Sequence, residues 1–168
     1  MSEQDNILNF AHKIFKFPRS LTGDGVRKTL LEIKKIIPEL KIKSIKSKTK
    51  VFDWKIPLEW KVNDAYILDP KKNKICEFKK NNLHLVGYSI PIKKKLNKDI
   101  LLKKLYSLPK QPDAIPYLTS YYKRDWGFCI SHNQKKKLID GNYKVFIDTK
   151  LFRGKMNYGE IILKGKLK

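Results

Sequence analysis

Arginine is scarce in this 168-residue chain: of 38 Lys and Arg residues, only Arg19, Arg27, Arg124 and Arg153 are arginine. That scarcity weighs on the meaning of the formal net charge of +22, which alone would point to a polyanion neutralised by counterion release. Bidentate grip on phosphates and guanine edges favours arginine's planar fork. The lysines, moreover, are scattered through KKNK (71–74), KKK (93–95) and KKK (135–137), as solvated faces are. Nucleic acid is therefore the disfavoured partner, and the abundance of Lys, Ile and Asn suits an AT-rich coding sequence. Cysteine is scarcer still. Cys76 and Cys129 stand far apart with no CxxC beside either, which excludes a disulfide framework and a local zinc knuckle and suggests two buried free thiols. No apolar run approaches the roughly 20 residues of a membrane helix, and no early stretch has the build of a signal peptide, so the expected location is cytoplasmic, with no membrane partner.

What is present is a hydrophobic content of 41%, enough for a packed core in one ordinary domain or a small domain set into part of another. Ile7, Phe10, Ala11, Ile14 and Phe15 make the stripe of an amphipathic helix over 5–15, with Asp5 as its cap and Pro18 as its stop. A second helix opens at Thr22 or Asp24 and runs through Val26, Leu30, Ile33 and Ile37 to Pro38. From Leu40 onward the pattern becomes short β-branched and aromatic runs, predicting strands near 40–46, 51–54, 62–68, 74–78 and 83–90, with DPKKNK (69–74) as a hairpin turn. A helix capped by Asn97 fits 98–106, GFCI (127–130) reads as a buried strand, and Ser131 can cap a turn over 132–138. Tyr143, Val145 and Ile147 alternate inward along a strand whose expected partner is MNYGEIIL (156–163).

No HExxH, GxSxG, GxGxxG or P-loop pattern occurs, and His12, His84 and His132 lie too far apart for a local metal site. His12 reads as a helix-surface residue, and His84 as a strand residue facing solvent or hydrogen-bonded. No catalytic residue and no metal ligand is assigned in this chain. Two stretches carry a binding case. In RSLTGDGVR (19–27), Arg19, Ser20 and Thr22 precede a helix N-terminus that could hold an anion or a substrate carboxylate, against the plainer reading of a capping turn. In DAIPYLTSYYKRDWGFCISHNQ (113–134), Tyr121, Trp126 and His132 are the candidates for substrate contact. That strip lacks the regular basic alternation of a single-strand stacking platform, so core and pocket wall suit it better.

RSLTGDGVRKTL, TKVFDWKIPLEWKVNDAYILD, NLHLVGYSIPI, LPKQPDAIPYLTSYYKRDWGFCISHNQ and DGNYKVFIDTKLFRGKMNYGE together resemble the N-terminal part of a bacterial family with an aminopeptidase-like domain, some of whose members are called polysaccharide biosynthesis proteins. The resemblance runs from about Phe10 to Glu160. It implies an α/β fold, α+β within this stretch: helices and strands of a zinc-exopeptidase-like core with a small β-rich inserted domain. On that basis 1–50 form the first helices and strand of the core, 51–139 the insert, and 140–168 the return strands. Full-length relatives would hydrolyse peptides or amides with zinc, through ligands in His-Pro and Asn-Asp motifs that follow the strand corresponding to MNYGEIILKG. This chain reaches Lys168 ahead of those motifs, so no ligand transfers to it. The expectation is an N-terminal portion inactive by itself, completed by a separately encoded C-terminal half and directed to a peptide-like or glycan-linked substrate. The competing expectation is a basic, non-catalytic module for an anionic glycan or nucleic acid.

Overall fold

The computed structural model describes residues 3–165, with side chains from residue 6 onward. The chain divides into two compact units: one takes residues up to Glu59 together with those from Phe152, the other Trp60–Leu151. The changeovers fall at 59/60 and 151/152, later in sequence than the expected 50/51 and 139/140.

In the first unit, α1 (Glu3–Phe15) and α2 (Asp24–Ile36) form on the stripes read from the sequence, and Lys13 of α1 pairs with Glu32 of α2 at 2.6 Å. α1 already begins at Glu3, so Asp5 lies within the helix, and its side chain is outside the described ones. The α1–α2 linker is tight for a steric reason. A Cβ on Gly25 would sit 2.0 Å from the Pro18 carbonyl oxygen, so only glycine lets α2 start against that segment. Gly23, at φ 103, holds the N-cap position with no side-chain cap bond, which corrects the expectation that Thr22 or Asp24 would cap the helix. Asp24 instead meets Arg27 at 2.5 Å.

Next come β1 (Lys41–Lys46) and a small hairpin of β2 (Lys50–Val51) and β3 (Trp54–Lys55). The expected strand over 51–54 is therefore broken at its middle, where Phe52 takes a left-handed φ of 54 at the turn and is 92% exposed.

The second unit is built on a four-stranded sheet, β5-β4-β9-β6, from β4 (Glu59–Leu68), β5 (Lys74–Ile75), β6 (Ile92–Asn97) and β9 (Asn142–Phe152). Asp69 shapes the β4–β5 turn by accepting the Asn73 N–H at 2.7 Å. Along β9, Tyr143, Val145, Ile147 and Thr149 alternate inward and are all buried, as the period-two pattern predicts. Tyr143, Val145 and Ile147 pack with Ala65, Ile67, Leu101, Leu105 and Phe128 in one apolar core, each large side chain contributing about 1.5–3 kcal/mol of transfer free energy.

Between β6 and β9 lie α3 (Lys98–Leu102), β7 (Leu105–Tyr106), β8 (Phe128–Cys129) and α4 (His132–Lys136). Asn97 caps α3 and Ser131 caps α4, each through its side-chain oxygen, as expected. α3 ends four residues earlier than the local pattern suggests, because Leu105 and Tyr106 leave to pair in parallel with Phe128 and Cys129.

The expected strand 83–90 is a 3-10 turn (Asn82–His84) followed by an irregular loop. Its hydrogen bonds go elsewhere. The Ser89 carbonyl accepts from Trp60 Nε1 at 3.0 Å and Thr149 Oγ1 at 2.8 Å, the Ser89 hydroxyl donates to the Val86 carbonyl at 2.6 Å, and Tyr88 sits at φ 64. These side-chain bonds, together with backbone bonds to the 118–127 segment such as Val86 N–H to the Gly127 carbonyl at 3.1 Å, stand in place of a regular strand ladder.

β10 (Lys155–Glu160) pairs antiparallel with β1 in the first unit, from Lys41↔Glu160 to Lys46↔Lys155. This overturns the expectation that 156–163 partners the 142–152 strand. Both Cys76 and Cys129 are buried free thiols. Among the described residues, no helix is long and apolar enough to cross a membrane.

Candidate functional site: an aromatic cleft in the second unit

The strip 113–134 splits in two. Phe128, Cys129 and Ile130 are fully packed in the core, whereas Val86, Tyr106, Leu118, Tyr122, Asp125 and Trp126 contribute to a cleft of about 360 Å³. The loop 117–126 is pinned to the 85–90 segment by backbone bonds: Gly87 N–H donates to the Leu118 carbonyl at 2.8 Å, Ser120 N–H to the Gly87 carbonyl at 2.9 Å, and Ile90 N–H to the Asp125 carbonyl at 3.0 Å. Trp126 is set by its neighbours. Its N–H donates to Asp125 Oδ1 at 2.8 Å, the same carboxylate pairs with Lys104 at 2.5 Å, and the Lys104 ammonium lies 5.8 Å from the indole centre. Lys104 and the Trp126 N–H hold the Asp125 carboxyl below its ordinary value, so it is ionised at neutral pH.

Behind this wall runs a chain of rings. Trp60 stacks on Tyr88 at 5.6 Å, Tyr88 meets Tyr121 at 6.0 Å, and Tyr121 lies 3.9 Å from Tyr122. Tyr121 is thus a support packed on the core, and Tyr122, 78% exposed, is the ring offered to solvent. The Tyr121 phenol is pushed up to about 12, first by its hydrogen bond with Tyr122 and then by burial, so it carries no base function near neutrality. The cleft can stack and position a flat or apolar face. The Thr119 and Ser120 hydroxyls that also line it both donate to the Gly87 carbonyl.

Of the sequence candidates, Trp126 lines the cleft and Tyr121 stands one ring behind it. His132 opens α4, away from the cleft lining, with its Nδ1 3.1 Å from Ser107 Oγ. Arg19, Ser20 and Thr22 belong to the first unit. Arg19 donates to the Ile14 carbonyl at the end of α1, Ser20 donates to the Thr22 carbonyl at 2.8 Å, and Thr22 is 1% exposed. These roles tie the turn together and leave Arg19 as the exposed member of the three.

Sequence reasoning missed Tyr88, Trp60, Tyr106 and Lys104. Tyr88 lies in a loop that reads locally as a strand and that loop meets Trp60 of β4, while Tyr106 and Lys104 are placed by a long-range parallel pairing that leaves no period in the sequence. It also missed Glu59 in the first unit. Glu59 is 6% exposed, takes the Arg27 guanidinium at 2.5 Å and accepts the Lys155 N–H at 3.0 Å. Burial alone would raise its carboxyl, but Arg27 and that N–H outweigh burial and hold it below its ordinary value.

The family model described as a domain of unknown function (DUF2172) matches residues 59–150, nearly the whole of the second unit. The chain belongs to this family. It is 47% identical over 161 residues to a Clostridium acetobutylicum protein named as a candidate polysaccharide biosynthesis protein with an aminopeptidase-like domain, covering 96% of this chain and 37% of that protein. A crystal structure of a candidate peptidase from C. acetobutylicum superimposes with a TM-score of 0.89 and 46% identity, over 98% of this chain and 39% of that one. The DUF2172 chain thus spans under two fifths of the relatives it matches, and over that span its mixed α/β architecture is that of part of a peptidase-like fold, as the sequence resemblance implied. Among the described residues, no group of three His, Cys, Asp or Glu side chains is placed to hold a metal ion.

Proposed function

We propose that this chain is a non-catalytic part of an aminopeptidase-like hydrolase acting on peptide or amide bonds. The zinc centre would be carried by polypeptide of the kind its relatives have outside the matched region, supplied for instance as a separately encoded half. The observation that carries this reading is the likeness over 98% of the chain to 39% of a candidate peptidase. The first unit supports it. Ile7, Leu8, Phe15, Leu31 and Ile36 on its helices are all more than half exposed, an apolar surface suited to further polypeptide. The aromatic cleft then serves as a substrate-side wall, and the buried free thiols suit a cytoplasmic setting.

The test is to purify the chain alone and together with the unmatched portion of the C. acetobutylicum relative, then measure bound zinc and hydrolysis of an aminoacyl p-nitroanilide. The chain alone should bind no stoichiometric zinc and show no turnover, while the two together should form a complex and hydrolyse the substrate. Zinc-dependent turnover by the chain alone, or no complex, would sink the reading. The charge of +22 favours one second reading, a module for anionic glycans, which predicts retention on heparin that weakens with salt.

A further inference from the structure

A second cavity of about 500 Å³ lies in the second unit, outside the aromatic cleft, between the β4–β5 turn, the 76–84 segment and the end of α4. Its size is in the range of small-molecule sites, and it joins an apolar floor to a few convergent polar groups. Ile75, Ile130 and Leu138 form the floor. Lys71 and Lys137 both line the cavity, separated in sequence by most of the unit.

The carboxylates that line the cavity are already engaged: Asp69 accepts from the Asn73 N–H and side chain at 2.7 and 3.0 Å, and Glu77 pairs with Lys80 at 2.5 Å. Lys74 lies over the Tyr66 ring at 4.4 Å. Among the described residues Lys137 has no ion pair, and Lys71 makes none directly, although its charge helps hold the neighbouring Asp69 carboxyl below its ordinary value, so a ligand at Lys71 shares that charge with Asp69.

His84 adds a directional group. Its Nδ1 is 2.7 Å from the Cys129 carbonyl, which can only accept, so Nδ1 carries the hydrogen and Nε2 keeps a lone pair. Burial holds the imidazole below its ordinary pKa and therefore neutral near pH 7. A neutral Nε2 accepts a hydrogen bond, and a ligand meeting it must bring an O–H or N–H. Cys76, buried in the wall, takes a left-handed φ of 52.

From this geometry we infer that the cavity binds a small polyhydroxylated anion with the chemistry of an acidic sugar. The anionic group lies between Lys71 and Lys137, a hydroxyl donates to His84 Nε2, and the C–H face rests on Ile75 and Leu138. The inference deepens the glycan reading above by naming a place and a ligand class, and it is independent of the hydrolase reading.

The experiment titrates the full chain with D-glucuronate, with glucose 6-phosphate and with neutral D-glucose, followed by amide NMR and the His84 imidazole nitrogens. The expected result is a saturable shift at residues lining the cavity with at least one acid and none with glucose, and a His84 Nε2 resonance that moves with saturation while Nδ1 stays protonated. Which acid binds tells carboxylate from phosphate. Lys71→Glu and Lys137→Glu, both exposed substitutions, should each weaken binding by about tenfold, the scale of one charge-assisted contact, with the rest of the spectrum unchanged. Absence of saturable shifts with either acid, equal binding of glucose, or unchanged affinity in both variants would overturn the site. Heparin retention that persists in both variants would not rescue it, since general charge accounts for that.

Discussion

The two units bury their apolar residues very differently. In Trp60–Leu151 a single core takes in Ile67, Leu101, Leu105, Phe128, Tyr143 and Val145 at 0–1% exposure, whereas in the other unit the buried apolar side chains among the described residues are Leu40 and Ile56. The first unit's polar interior is as important as its apolar one, since Thr22 and Glu59 are as deeply buried as Leu40 and Ile56. A unit with its own core folds by hydrophobic burial. One held by helix pairing, a two-stranded ribbon and a carboxylate tie depends on specific polar geometry and on whatever covers its helices.

Three substitutions sharpen that contrast. The largest effect belongs to Phe128→Ala, which empties a site at 0% exposure in the second unit and should cost about 3–5 kcal/mol in urea unfolding. If it costs under about 1 kcal/mol, the core is not the source of that unit's stability.

Next comes Glu59→Gln, which leaves Arg27 without its buried partner. We expect about 2 kcal/mol, less than the ~3–5 of a fully buried pair because the Arg27 side chain is 34% exposed. The effect has a pH signature. The Glu59 carboxyl titrates lower folded than its unfolded value of about 4.3, so the folded state binds fewer protons there. Its contribution is whole above that pH and is lost as pH falls through the folded pKa. Acid unfolding of the first unit, followed by amide signals of β1 and β10, should show this loss in the parent and a flatter profile in Glu59→Gln. Identical profiles would remove the tie from the account.

The smallest effect is Leu31→Glu on the exposed face of α2. It should change the stability of the chain alone by no more than about 0.5 kcal/mol, while weakening any complex with the unmatched portion of the relative. Destabilisation of several kcal/mol would mean that the α2 face is already packed.

The elements with a strong period were legible before the structure. α1, α2 and β9 follow from apolar spacing, and the caps at Asn97 and Ser131 follow from side chains that can accept an N–H. What escaped was decided at long range. The 85–90 segment has strand-like residues but divides its hydrogen bonds between the backbone of 118–127 and the side chains of Trp60, Thr149 and Ser89, and β10 finds β1 across more than a hundred residues of chain instead of the adjacent β9. For the site, Trp126 was legible as an aromatic in a turn-rich strip. Tyr121 was chosen from the sequence and Tyr122 passed over, because which of two adjacent rings faces the core depends on Tyr88, whose left-handed backbone no local pattern announces.

The register of β1 with β10 has a mechanical side. Lys41 sits opposite Glu160 at the end where the chain comes from α2 and runs on toward residue 165, and Lys46 sits opposite Lys155 at the far end. Tension applied between the two ends of the chain would open this ribbon like a zipper, one hydrogen-bonded pair at a time, a low-force geometry compared with sliding the strands in shear. The Glu59 carboxylate on the Lys155 N–H is the stop at the closed end of the zipper. Beyond it, Ser47 and Gly154 are joined by two further hydrogen bonds, at 3.0 and 3.2 Å, so the closed end is fastened by side chains and backbone together.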